Sequence, residues 1–68
     1  MLQHTIPIDG MTGDSSVEVV RHTLAGLRGV MHAQVALGSA RVTYDDDLVG
    51  PHAFHEAIAR AGFLPGSG

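Results

Sequence analysis

The stretch Ser15-Ser16-Val17-Glu18-Val19-Val20-Arg21-His22-Thr23-Leu24-Ala25-Gly26-Leu27-Arg28-Gly29 decides the fold. Val17, Val20, Leu24 and Leu27 recur at i, i+3, i+7 and i+10, one apolar stripe of a 3.6-residue period. The stretch is therefore a helix with one buried face. Ser15, with Glu18 three positions on, is a capping-box pattern and predicts where the helix starts. Arg28 suits the negative end of the helix, and Gly29 predicts a left-handed cap just past it.

Both flanks of this helix change to a period of two. Upstream, Leu2, His4, Ile6 and Ile8 share one face of a strand that Asp9-Gly10 ends. Pro7 has no N–H for a central strand to use, so that side of the strand should meet only an incomplete neighbour. Downstream, Val30 to Leu37 reads as a second strand with Ala33, Val35 and Leu37 on one face. Gly38-Ser39 makes a tight turn into a third strand, Ala40 to Tyr44, with Val42 and Tyr44 inward. Asp45-Asp46-Asp47 is a loop. Gly50-Pro51 opens a second helix, proline being suited to the first helical position, with a stripe of Phe54, Ala57, Ile58 and Ala61 and a stop at Gly62. Phe63-Leu64 begins a fourth strand that Pro65 cuts short.

The order is β-α-β-β-α-(β). Right-handed crossovers place both helices on one face of an antiparallel sheet, a ferredoxin-like α+β sandwich with its fourth strand short or absent. One domain is expected over residues 1–64, with residues 65–68 a flexible tail.

Composition limits what such a domain can do. The 68 residues are 44% apolar, enough for a core, and contain no cysteine, so packing alone must hold the fold. A formal net charge of −3, with Arg21, Arg28, Arg41 and Arg60 as the only basic side chains besides histidine, provides no footprint for nucleic acid or an anionic membrane. No apolar stretch approaches the roughly 20 residues that span a bilayer. Residues Met1 to Ile8 lack the basic region of a signal peptide, so a cytoplasmic location is the expectation. Enzyme chemistry finds no support either. There is no Cys/His pair, and no Ser/His/Asp set can be assembled with any preference. Acylphosphatases share the topology but need an Asn, which this chain lacks. RNA-binding domains share it too, but they need sheet-face aromatics and positive charge, and Tyr44, the only strand aromatic, points inward.

The run His4-Thr5-Ile6-Pro7-Ile8-Asp9-Gly10-Met11-Thr12, followed by Val17, Val20, Leu24, Leu27, Gly29-Val30, Val35, Leu37, Val42, Tyr44-Asp45 and Ala57-Ile58-Ala59-Arg60-Ala61-Gly62-Phe63, resembles a heavy-metal-associated domain. That family includes bacterial copper chaperones, mercury-binding proteins and the N-terminal domains of metal-exporting P-type ATPases. The resemblance covers nearly the whole chain without gaps and implies the same fold. Its signature, Gly-Met-Thr-Cys-x-x-Cys, grips a soft ion such as Cu(I) between two thiolates at the mouth of the first helix. Here the stretch reads Gly10-Met11-Thr12-Gly13-Asp14-Ser15-Ser16, with Gly13 and Ser16 at the two cysteine positions. Glycine offers no ligand and a serine hydroxyl is a poor, hard one. The loop, with Met11, Gly13, Asp14, Ser16 and Phe63 as its ancestral residues, is expected to act as a structural cap, Asp14 and Ser15 being good cap residues.

Other candidate ligands are read conservatively. Met11 is a thioether that suits Cu(I), but one thioether makes no site, and methionine commonly fills gaps in a core. His52 and His55 stand i, i+3 on the second helix, a spacing at which two imidazoles can share a metal. The deduced topology puts His4, His32, Asp46 with its neighbours Asp45 and Asp47, and His52 at one pole, opposite the loop. Such a set would suit zinc, nickel or copper(II), although weak adventitious binding is the plainer expectation. His22 is expected to be solvated. The acidic run lacks the spaced ligands of a calcium loop.

Two functions fit these residues. One is a module that has lost its thiolates and acts by protein–protein docking, with a metal-transporting P-type ATPase or related domain as partner. The other is a metal-ion-binding protein that uses the His/Asp pole or the Met11–Asp14 loop. No resident cofactor is expected. Lacking an exposed apolar helix face, the chain should be a monomer.

Overall fold

The computed structural model describes residues 1–66. The elements are β1 (Leu2–Asp9), α1 (Asp14–Ala25), β2 (Val30–Ala36), β3 (Ser39–Tyr44), α2 (Pro51–Arg60) and β4 (Leu64–Pro65). They form a four-stranded sheet in the order β2-β3-β1-β4, and every neighbouring pair is antiparallel. Helix α1 packs on β2 and β3, and α2 packs on α1 and β4. This is the ferredoxin-like sandwich expected from the order of periods.

Alternation places the core. Ile6 and Ile8 on β1, and Ala40, Val42 and Tyr44 on β3, are buried beneath Val20 and Leu24 of α1 and Phe54 and Ile58 of α2. Each large apolar side chain withdrawn from water in this way contributes about 1.5–3 kcal/mol. Phe54 meets Tyr44 edge to face, with centroids 5.0 Å apart and planes at 78°, the arrangement favoured by aromatic quadrupoles. The other sheet face, with Gln3, Thr5, Pro7 and Arg41, is exposed.

Pro7 finds the incomplete neighbour its chemistry requires. The Ile8 N–H donates to the Gly38 carbonyl on the β3 side, so the odd-numbered backbone groups of β1 face β4. There β4 pairs only with Ile8 and Asp9, and the Pro7 carbonyl accepts the Gly66 N–H at 2.6 Å. Pro65 and Gly66, placed in the tail by the sequence reading, are thus held against β1. The rest of that tail, residues 67–68, lies outside the described residues.

The second helix ends as its sequence predicts. Gly62 has φ +95°, its N–H donates to Ala59 and the Phe63 N–H donates to Ile58, the paired bonds of a Schellman cap. Four details differ from expectation. Helix α1 begins at Asp14 with Gly13 as N-cap and no side-chain cap bond, so Ser15 and Glu18 form no capping box. Glu18 instead pairs with Arg21 one turn on, at 2.6 Å. The helix closes at Gly26, three residues before Gly29. Gly29, at φ +94°, turns the chain into β2, and its carbonyl takes the Asp45 N–H. Leu37 falls in the hairpin turn and Leu2 is the first residue of β1, and both are exposed rather than inward.

Candidate functional site

The β1–α1 loop is built by two backbone devices and two side chains. Gly10, at φ +95°, turns the chain where a β-carbon would stand 3.9 Å from Phe63 Cδ1, so Phe63 lies against the loop. Met11 is half-buried against the core, and its Sδ accepts the Gly38 N–H at 3.4 Å, tying the loop to the β2–β3 turn. The Gly13 carbonyl then accepts the N–H groups of Ser16 and Val17, which starts α1.

Ser16 completes the closure. Its side chain is buried, and its Oγ accepts the Thr12 N–H at 3.2 Å and stands 3.4 Å from the Thr12 hydroxyl. A hydroxyl here satisfies the backbone N–H of Thr12, which precedes the Gly13 N-cap and lies outside the helix. Gly13 is extended, and nothing lies within 4 Å of where its β-carbon would be. One cysteine position of the signature is therefore open space, and the other holds an oxygen already engaged inside the loop. Asp14 is exposed in the first turn, where its negative charge suits the helix dipole. The mouth presents no soft ligand beyond the Met11 thioether, which already accepts a hydrogen bond.

The opposite pole is assembled only in part. His4, on the inner-face parity of β1, and His55 of α2 are both half-buried, with ring centroids 6.1 Å apart. His52 turns along the helix, its Nε2 3.7 Å from the Glu56 carboxylate. His32 is exposed on β2, opposite Thr43. Asp45, Asp46 and Asp47 bring their carboxylates together, the one group of three possible ligands among the described residues, and no histidine joins it. The Asp47 N–H donates to Asp45 Oδ1 at 2.9 Å, and the Asp45 carbonyl takes the N–H groups of Leu48 and Val49. The run is thus a self-bonded turn. Thr12 and Gly38, which the sequence marks only as part of the signature stretch and as a turn residue, are partners of the loop. The Thr12–Ser16 pair has a sequence signal in its i, i+4 spacing, whereas Gly38 is 27 residues from Met11 and has none.

An antiparallel sheet with two helices on one face, and a loop at the mouth of the first, defines a ferredoxin-like α+β sandwich. The profile of the heavy-metal-associated domain matches residues 5–63, and the chain belongs to that family. Among solved structures it is similar to a copper-binding domain from HMA7, a P-type ATPase, at 32% identity and TM-score 0.94, covering 97% of this chain and 92% of that one. It is also similar to the CopZ metallochaperone at 28% identity and TM-score 0.93, covering 96% and 100%. Oxidized MerP from Ralstonia metallidurans follows at 25% identity and TM-score 0.83, covering 96% of each chain. No curated protein sequence matches the chain. No helix among the described residues is long and apolar enough to cross a membrane.

Proposed function

We propose that this chain is a heavy-metal-associated module, not an enzyme, that acts by docking on a protein partner and holds no soft metal at the mouth of α1. The observation that carries this reading is Ser16. The oxygen at the second signature position is buried and bonded to the Thr12 N–H, and the first signature position has no side chain at all. The fold around that mouth is nevertheless kept. Around it Leu37 and Leu64 are exposed and Met11 and Phe63 half-exposed, apolar side chains of the kind that form the centre of a small transient interface. The partner class is a metal-transporting P-type ATPase or a related domain, from the likeness to a domain of such a pump.

The test is an amide NMR titration of the labelled, metal-free chain with the isolated metal-binding domain of a copper-transporting ATPase. Saturable shifts on Met11–Ser16, Leu37–Gly38 and Phe63–Leu64 are expected. Shifts that require added metal, or none at all, would overturn docking as the function. A second reading, metal binding through non-thiolate ligands, is favoured by one observation, the approach of His4 to His55.

A further inference from the structure

The His4–His55 pair gives that second reading specific ligands and a specific class of ion. We propose that the two imidazoles form a two-coordinate site for Cu(I) at the edge between β1 and α2, on the far side of the domain from the α1 mouth.

The spacing is compatible with a linear coordination geometry. An imidazole nitrogen binds its metal at about 2 Å, and the ring centre lies about 1.1 Å behind that nitrogen. Two imidazoles in line across a metal therefore have centroids about 6.3 Å apart, whereas two in a tetrahedral set approach to about 5 Å. The observed 6.1 Å falls near the linear value. The 51° tilt between the rings is no obstacle, because rings joined in line are free to rotate about the nitrogen–metal–nitrogen axis.

The donor count points the same way. Among the described residues no third histidine or carboxylate joins the pair in a three-ligand group. Zn(II) and Ni(II) would have to fill the remaining positions with water. Cu(I), a d10 monovalent ion, is content with two nitrogen donors in line, and imidazole suits copper. Both ligands also stand on stiff supports. His4 lies in the paired part of β1, opposite Val42, and His55 sits between the fully buried Phe54 and Ile58 of α2. Little backbone order remains to be acquired on binding.

The experiment is an anaerobic Cu(I) titration of the untagged chain, in competition with a chromophoric Cu(I) chelator, with X-ray absorption on the loaded protein. One equivalent should bind through two nitrogens and no sulfur. His4→Gln and His55→Ala should each weaken Cu(I) at least tenfold, with their amide spectra showing an intact fold. Joint replacement of the exposed His22 and His32 by Ala should change nothing, and Zn(II) should bind at least tenfold more weakly than Cu(I). A sulfur in the shell would assign the ion to Met1, Met11 or Met31 and overturn the site. Equal loss in the His22/His32 variant, or no competition with the chelator, would overturn it as well. This test is run without a partner and the docking test without metal, so either can fail alone.

Discussion

Joint replacement of Gly13→Cys and Ser16→Cys should convert the closed mouth of α1 into a soft-metal site, at a stability cost that metal reverses. Gly13 has an extended backbone that any residue adopts and open space where a β-carbon would go, so a side chain enters without a clash. The Ser16 N–H bond to the Gly13 carbonyl, at 3.0 Å, sets the two positions one turn apart on the same mouth. Losing glycine at the N-cap costs a few tenths to about 1 kcal/mol. Exchanging the Ser16 hydroxyl for a weaker sulfur acceptor of the Thr12 N–H costs about 1 kcal/mol. Since about 1 kcal/mol moves Tm by roughly 4–8 °C in a domain of this size, the metal-free variant should melt roughly 5–15 °C below the parent. Free Cu(I) at a hundredfold excess over Kd stabilises the folded state by about 2.7 kcal/mol, which restores Tm to the parent value or above. The assay is thermal denaturation of both proteins with and without buffered Cu(I), taking the rise in the variant net of any rise in the parent. An equal rise in both would refute the inference that the mouth keeps a thiolate-ready shape. An undiminished metal-free Tm would refute the weight given to the Thr12–Ser16 closure.

Three further outcomes follow from packing and charge. Phe54→Ala should cost about 3–5 kcal/mol, because it empties the fully buried centre of the core and removes the partner of Tyr44; circular dichroism should show a largely unfolded chain at 37 °C. Gly29→Ala should destabilise more than Gly38→Ala in chemical denaturation. Both have positive φ, worth about 1–2 kcal/mol, but only at Gly29 would the β-carbon meet Leu48 and Val49, at 2.8 and 2.9 Å. Equal costs would mean that those side chains move aside freely. The Arg21 hydrogen bond and charge hold the Glu18 carboxyl below its ordinary range, so the pair's contribution is complete at neutral pH and is lost as pH falls through that lowered pKa. Both groups are solvent-exposed, and Glu18→Gln should leave Tm at neutral pH and physiological salt unchanged; a clear drop would show the pair to be more than a surface contact.

Much of this structure was legible where one residue type has one physical use. Pro7 required an incomplete neighbour and met the two-residue β4, while Pro51 and Gly62 bounded α2 where the chain places them. Reading failed where two local partners competed. Glu18 could reach back to a cap or forward to Arg21, and the exposed ion pair won because the helix starts one residue before Ser15. Leu27 continues the apolar stripe beyond the helix, packing on the core from a turn, so periodicity carried the expected end too far, to Gly29. The candidate sites show the same limit. Topology brought His4, His32, His52 and the acidic run toward one pole, but offsets of a few ångströms between strand and helix, which no periodicity encodes, joined His4 to His55 and left the three carboxylates to themselves. At the α1 mouth the missing thiolates were plain from the letters; the use of Ser16 as an internal acceptor was visible only as geometry.

A mouth closed by a hydroxyl has a consequence for oxidative stress. A pair of thiols one helical turn apart can be lost to a disulfide or oxidised stepwise to sulfinic acid, and either change disables a soft-metal grip. Ser16 and Gly13 have no such chemistry, so peroxide leaves this loop as it was. The one oxidisable atom in it is the sulfur of Met11, which climbs a single reversible rung to the sulfoxide, and that atom is also the acceptor that ties the loop to Gly38. Whatever surface this module offers a partner is therefore the same surface in reducing and oxidising surroundings until Met11 itself is modified.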